Sequence, residues 1–523
     1  MRRGASHAER ERCPVYTAIQ AIEGRWKPMI VRRLRESDSR GFGELRRAMP
    51  GVTAKVLRQQ LRQMEGAGLI ARSVRSVPLR VQYKLTAHGR ALGPVFEALW
   101  LWGTRHLARM SLATILSLSL CGSAAAQSPD AYLERAKAIH RAVPMIDTHN
   151  DLPEMIRERA HNDLALMNPD RPLENIDTDL PRMKEGLVGG QFWSAYVPAS
   201  FVDKGGATYA LEQIDVIRRM VARSPSLQWA MTAADIVRAH AQGKIASLIG
   251  IEGGYAIENS LATLRMFYLL GVRYMTLTHG GNTAWADAAT DPPKHGGLTA
   301  FGKEVVREMN RVGMMVDLSH VSDETMRAAI SVSEAPVIFS HSSARALADH
   351  PRNVPDDILA LTAKNGGIVM VNIFPGFVNQ RAAKQAAGFL DKEREYVHRY
   401  PDDPRRASTE YLKWLEQSMT EMEPGTLAEV ADHIDHIVKV AGIDHVGYGA
   451  DFGSLTNHPR GLEDVSRYPY LTAELLRRGY TDEQAKKIIG GNFLQVMRRV
   501  EQVSARLKRQ RPPSAARIED LDQ

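Results

Sequence analysis

Cysteine is nearly absent from this chain, which has two among 523 residues, Cys13 and Cys121. The pair straddles a change in composition, so neither a disulfide framework nor a thiolate metal site can be built. A membrane span is also missing. The apolar stretch Met110 to Leu120 covers about half of the roughly 20 residues that a stable helix across a bilayer needs. No internal repeat is visible. What remains is ordinary globular composition, 44% apolar and 24% charged, with length for about two to four domains. The net charge of +8 is unevenly spread. Residues 1–109 hold 22 Lys and Arg against 8 Asp and Glu, leaving a mildly acidic remainder of 46 against 52. A basic first fifth suits a polyanionic partner, and the acidic body suits small molecules.

In the basic part, Phe42 to Arg46 opens a short helix, Met49-Pro-Gly-Val52 makes a turn, and Thr53 caps a helix that runs to about Gly66. This is helix-turn-helix spacing. Val56, Leu57, Leu61 and Met64 recur at helical intervals and face inward, leaving Lys55, Arg58, Gln59 and Arg62 outward for phosphates and base edges. Leu69 to Leu85 alternates and turns near Val77-Pro78, with Arg72, Arg75, Arg80 and Lys84 along a basic wing. Cys13-Pro14, Gly24-Arg-Trp26, Phe42-Gly-Glu-Leu45, Leu57-Arg-Gln-Gln-Leu61, Glu65-Gly-Ala-Gly-Leu69, Tyr83 to Gly89 and Trp102-Gly103 together make residues 13–107 resemble the HxlR-type winged helix-turn-helix regulators. The resemblance implies operator DNA binding as a homodimer, with the Leu92 to Leu107 helix in the dimer seam.

Residues 108–127 look out of place. Arg105 and Arg109 precede the apolar Met110 to Leu120, and Ala124-Ala-Ala126 follows, the three parts of a secretory signal peptide set inside the chain. Leu120 before Cys121 argues against a lipoprotein box. Either the segment is a linker in a fusion, with the protein cytoplasmic, or translation starts near Met110 and the product is periplasmic or secreted.

Past Asp130 an amphipathic helix leads into Met145-Ile-Asp-Thr-His-Asn-Asp-Leu-Pro153, a short apolar strand that ends in polar residues where Pro153 stops the ladder. Alternate residues of an extended chain point the same way, so His149 and Asp151 converge. Imidazole with carboxylate suits a divalent transition metal. Seven more apolar runs follow: Gln191 to Pro198, Ala246 to Gly253, Val272 to His279, Gly313 to His320, Pro336 to His341, Gly367 to Phe374 and His445 to Phe452. Helical segments separate them. Eight such strands predict an α/β fold, a closed (β/α)8 TIM-type barrel over 130–500 with its site at the strands' C-terminal ends. The polar residues obey that rule: Glu252, His279, His320, His341 and Asp451 each close a strand.

Ile146 to Pro153, Gly190-Gln-Phe-Trp193, Gly250-Ile-Glu-Gly-Gly254, Leu277-Thr-His279, Met315 to His320, Ser340-His-Ser342, His350-Pro-Arg-Asn353, Gly449-Ala-Asp-Phe452 and Gly490-Gly-Asn492 closely resemble the membrane (renal) dipeptidase family. Carried over by position, the resemblance implies two Zn2+ per barrel. His149 and Asp151 hold one, His320 and His341 the other, and Glu252 bridges them. His279 contacts substrate, Arg352 takes the C-terminal carboxylate of a dipeptide, and Asp451 handles protons. One departure bears on the loop after strand eight, where the family reads Asp-Phe-Asp-Gly and this chain has Asp451-Phe-Gly-Ser454.

The expected activity is therefore a zinc metallodipeptidase carrying a DNA-binding module. The alternatives are a transcription regulator whose barrel senses a ligand, or a related amidase or β-lactam hydrolase. His433 and His436 precede strand eight and read as structural. The insertion from Pro375 to Pro424 reads as a lid or dimer surface, and residues 504–523, polar and broken by proline, as a disordered tail.

Overall fold

The computed structural model describes residues 26–35, 39–49, 52–76, 79–92, 129–453 and 457–522. They divide into two compact units, Met1–Ala126 and Gln127–Gln523. Among the described residues no helix is long and apolar enough to cross a membrane.

In the first unit helix α1 (Lys27–Arg35) is followed by strand β1 (Arg40–Gly41), helices α2 (Phe42–Arg47) and α3 (Ala54–Gly66), strands β2 (Ile70–Ser76) and β3 (Leu79–Leu85), and α4 (Ala87–Ala91). Thr53 starts α3 because its hydroxyl accepts the otherwise orphaned Val56 amide. The apolar side of α3, Leu57, Leu61 and Met64, packs with Ile30, Leu34, Leu45 and Leu85. β2 and β3 form the expected antiparallel ribbon, and β1 adds a short third strand that the pattern did not suggest. The dimer-seam segment beyond Leu92, Cys13 and the signal-like stretch 108–127 lie outside the described residues.

The second unit begins with α5 (Pro129–Ala142), which delivers the chain into strand β4 (Met145–Asp147). After the short loop 148–151, α6 (Leu152–Ala160) follows, with Pro153 in its first turn, where a missing amide costs no hydrogen bond. Strands β5 (Val188–Tyr196), β6 (Leu227–Trp229), β7 (Ile245–Glu252), β8 (Val272–Thr276), β9 (Met315–Asp317), β10 (Ile338–Phe339), β11 (Ile368–Val371) and β12 (Val446–Tyr448) are all parallel. The order β5-β4-β12-β11-β10-β9-β8-β7 closes through β5 and β7, with Gly190 opposite Ala246 and Tyr196 opposite Glu252. Eight strands make the barrel. β6, unexpected, borrows the first residues of the β7 edge that β8 occupies further along.

Most strands stop earlier than their apolar runs, because the last residues of each run leave the ladder to form the rim of the site. Helices α7 (Phe389–Arg399) and α8 (Pro404–Met419) lie in the insertion, α9 (Leu427–Ala441) precedes β12, and α10 (Asn492–Gln510) ends the barrel proper. The tail corrects the expected disorder. Leu507 is buried, Ser504 donates to the Arg311 carbonyl at 2.8 Å, and the Asp522 carboxylate accepts from the Thr299 hydroxyl and the Phe301 amide at a helix start. Proline there interrupts the helix without releasing the chain, so the second unit reaches past 500 to Asp522.

Candidate metal and active site

At the C-terminal rim of the barrel the chain gathers six imidazole and carboxylate groups around Glu252, the last residue of β7. One oxygen, Oε1, stands 2.9 Å from Nε2 of His320, 3.2 Å from Nε2 of His341 and 3.8 Å from Nε2 of His279. The other, Oε2, stands 3.3 Å from Nε2 of His149 and accepts from the Ser194 hydroxyl at 3.2 Å. His149 Nε2 is also 3.3 Å from Asp151 and 3.8 Å from Asp451. All seven strand-end residues thus meet at one centre. His149, Asp151 and Glu252 converge as one group of donor atoms, Glu252, His279 and His320 as a second, and His149, His341 and Asp451 as a third.

The loops that carry these groups are held by buried carboxyls that the pattern did not single out. Asp147 accepts from the His149 and Ala450 amides through one oxygen, and from the Tyr468 hydroxyl and Gln191 amide through the other. It ties β4 to β12. Asp317 does the same for β9 and β10 by accepting from the Ser319 and Ser340 amides. Each lies two or three residues before a histidine of the site. That spacing is the signal that could have found them. Tyr274, read as strand core, places its hydroxyl 2.9 Å from Nδ1 of His149. Its ring crosses Gly250, where an added Cβ would fall 1.9 Å from it.

Two site residues adopt left-handed backbone, His320 at φ 74° and Asp451 at φ 70°. In the loop after β12, Gly453 has φ 113° and lies so close to the start of α6 that a Cβ would come within 2.4 Å of the Leu152 amide nitrogen. The departure from the family pattern at 453 is thus the residue this packing requires. Asp177 accepts from the Gly453 amide at 2.7 Å and pairs with His458 at 2.8 Å, so one carboxylate anchors both residues.

Electrostatics favour positive charge at the centre. Burial opposes protonation of His149, but Tyr274, Glu252 and Asp151 outweigh it and hold the imidazole well above its ordinary range. Burial likewise opposes ionisation of Glu252, yet the charge of nearby His149, and then the contacts of His320 and His341, hold the carboxyl well below the usual range. Burial keeps His320 and His341 neutral well below their usual value and brings His279 down to about 4. Neutral imidazoles have a lone pair to give. His149 Nε2, fully buried, makes no hydrogen bond, and His320 and His341 bring their Nε2 atoms to 2.8 Å of each other. Such convergent nitrogens and carboxylate oxygens fit a divalent metal better than they fit one another.

Asp451 has a different character. Burial first, then the Asp151 charge, push its carboxyl up to about 7, and the Asn372 amide donates to it at 2.9 Å. The Arg352 guanidinium is also buried, donating to the Ser342 hydroxyl and the His341 carbonyl at 3.2 Å, with Nε unpartnered. Burial lowers it to about 10, so it stays charged. The Tyr255 hydroxyl receives the His279 amide at 3.1 Å and sets that loop.

Asp151, Glu252, His279, His320, Arg352 and Asp451 line a cavity of about 320 Å³ that α6, α7 and α8 border. His433 and His436 stay out of it. His433 is buried, with the Ala344 amide on one ring nitrogen and the Val378 carbonyl on the other, and His436 pairs with Asp356.

In the first unit Lys55, Arg58, Gln59 and Arg62 are exposed together on α3, as expected. Arg75 lies on β2 opposite Arg80.

Comparison with known proteins gives two family matches, Membrane dipeptidase (Peptidase family M19) over residues 133–511 and HxlR-like helix-turn-helix over residues 21–111. Dipeptidase 3 of Rattus norvegicus is 43% identical over 387 residues, 72% of this chain and 70% of that protein. Dipeptidase 3 of Mus musculus is 42% identical over 72% of this chain and 69% of its own. Among solved structures, the probable dipeptidase PvdM from Pseudomonas aeruginosa superposes with a TM-score of 0.61 at 27% identity, covering 72% of this chain and 100% of that one. A metallo peptidase from Rhodobacter sphaeroides, liganded with a phosphinate mimic of the dipeptide L-Ala-D-Ala, gives 0.55 at 26% over 68% and 99%.

Proposed function

Since the chain belongs to the membrane dipeptidase family, a family of metal-dependent peptide-bond hydrolases, we propose that it is a zinc metallodipeptidase whose substrates are free dipeptides. The observation that carries this reading is the single carboxylate of Glu252 with four imidazole nitrogens within 3.8 Å of its two oxygens. One carboxylate serving two sets of ligands is the donor chemistry of a two-metal site. His149 and Asp151 would hold one zinc ion, His320 and His341 the other, with Glu252 shared. The ions would supply Lewis acidity, lowering the pKa of a water and polarising the scissile carbonyl.

The chain's own residues do the rest. Asp451, its carboxyl pushed up to about 7, takes a proton from the attacking water and returns it to the leaving amine, which requires a pKa near the working pH. Asn372 aims that carboxylate. His279, kept neutral by burial, offers a ring N–H to the oxygen on which negative charge develops as the carbonyl becomes tetrahedral. Arg352 is a buried cation with no salt-bridge partner among the described residues, and a buried charge is costly until it is paired. A substrate carboxylate would satisfy it, and a cavity of about 320 Å³, at the small end of the roughly 300–1,000 Å³ range for ligand sites, suits a dipeptide and not a long chain.

For the first unit we propose operator DNA binding through Lys55, Arg58, Gln59, Arg62 and Arg75, on the support of the exposed basic face of α3 and the HxlR-like match. The experiment that tests the enzyme reading is hydrolysis of simple dipeptides by purified protein, before and after chelation and zinc return. Activity that survives proven removal of all metal refutes the two-zinc assignment.

A further inference from the structure

Helices α7 and α8 do more than border the cavity. Their contribution is chemically unlike that of the barrel rim. From the rim come the charged and imidazole groups, Asp151, Glu252, His279, His320, Arg352 and Asp451. From the insertion come mainly the apolar Phe377, Phe389, Leu412, Leu415 and Met419, beside the polar Thr409, Lys413 and Glu416, and Phe374 joins them from just before it. Phe389, Leu412 and Leu415 are only partly buried and line the cleft. Apolar surface left against water inside a cleft is stabilised when a ligand covers it.

The roof is tied down, so its apolar face is held over the site. Thr409 donates to Glu158 of α6 at 3.0 Å, and Arg159 of α6 pairs with Glu416 of α8 at 3.2 Å. Behind the lining, Trp414 is wedged between Phe389, ring centroids 5.4 Å apart, and Tyr411, 6.1 Å apart. Phe374 and Phe377 meet edge to face at 4.9 Å. An aromatic backing of this kind resists the collapse that would close the space when it is empty.

We infer that the insertion forms a side-chain subsite selective for dipeptides bearing a bulky apolar residue, with Phe389, Leu412, Leu415 and Met419 as the specificity-determining wall. This rests on the dipeptidase reading above and adds the substrate class to it. A hydrophobic pocket discriminates by roughly 10-fold to 200-fold for each methylene it covers, so the preference for leucine over alanine is expected to exceed about tenfold.

The test uses the full-length, zinc-loaded protein and compares kcat/KM for Leu-Leu, Leu-Ala, Ala-Leu, Ala-Ala and Asp-Asp. Leucine at one or both positions should raise kcat/KM at least tenfold over Ala-Ala, and Asp-Asp should be the poorest. Leu412→Asp should shrink the Leu-Leu to Ala-Ala ratio at least tenfold, with Leu412→Ala as the milder variant should the charge disturb α8. A lesion of folding alone would lower both substrates together and leave the ratio unchanged. Equal use of Leu-Leu and Ala-Ala, or an unchanged ratio in both variants, overturns the subsite and leaves the dipeptidase reading intact. If no dipeptide is hydrolysed, that reading fails instead. The subsite is then judged by titration calorimetry with Leu-Leu and Ala-Ala, where a tenfold affinity difference upholds it and equal affinity ends it.

Discussion

The Tyr274 hydroxyl stands 2.9 Å from Nδ1 of His149 and donates its own proton to the Thr148 carbonyl, also at 2.9 Å. With that proton committed, the imidazole must be the donor at Nδ1. Nε2 is then the atom that would give up its proton to a metal and present a lone pair to it, the tautomer a metal ligand needs. Removing the hydroxyl frees the ring to choose the other tautomer. Tyr274→Phe should weaken metal binding by about 10-fold to 100-fold, the usual effect of losing such a support, measured by competition with a chromophoric chelator. Unchanged affinity would show that packing alone orients His149.

Glu252 and Asp451 sit at the same centre and are expected to fail differently. Glu252→Gln removes the shared charge, so metal content and turnover should fall together. Asp451→Asn should keep the metals and lose turnover by about 100-fold or more, the scale of general acid-base catalysis. Elemental analysis beside kcat separates the two, and near-normal values in both variants would end the assigned roles.

The acid limb of the pH–rate profile should belong to Asp451. Burial, then the charge of Asp151, bring its carboxyl to about 7, and it accepts a proton only when ionised. kcat/KM is therefore expected to fall as pH drops, with a midpoint at or below about 7, because cations at the centre pull it down. The limb should vanish in the residual activity of Asp451→Asn.

Glu393 of α7 is buried, and burial raises its carboxyl to about 7 despite the Ala199 backbone and Arg394. The folded state thus binds this proton more tightly than the unfolded chain. Stability from it is full below about 4.5 and lost as pH rises to about 7, up to roughly 3 kcal/mol. Glu393→Gln should raise the melting temperature at pH 8 and have little effect at pH 4.5. A variant equally stable or weaker at pH 8 would mean that the carboxylate has a partner worth more than its burial.

All the ligands proposed lie beyond residue 128, and the chain from Gln127 onward is compact by itself. Residues 128–523 expressed alone should fold, bind zinc and cleave dipeptides at the full-length rate. A folded, metal-loaded fragment without activity would show that the basic unit contributes to the active site.

Much of this site was legible because barrel strands are buried on both faces. Polar residues are then excluded from the runs, so His149, His320, His341 and Asp451 stood out at the run ends. Strand lengths were overdrawn for the same reason, since hydrophobicity continues past the last ladder bond into rim residues such as Leu277 and Leu318, both buried. β6 escaped notice because three residues on a partial edge carry no period. The tail was misjudged since polarity and proline describe a chain that is anchored at a few points, Ser504 and Asp522, as well as one that is not. Tyr274 was illegible as a functional residue because its effect passes through His149, 125 residues away in the chain, which only folding brings near.

His320 and Asp451 sit in a backbone region that costs a residue with a Cβ on the order of 1–3 kcal/mol. Glycine at either position would relieve that cost and remove the group that gives the position its use. Breeding this enzyme for heat resistance alone would therefore drift toward inert barrels, and any thermostable descendant must find its gains elsewhere on the molecule.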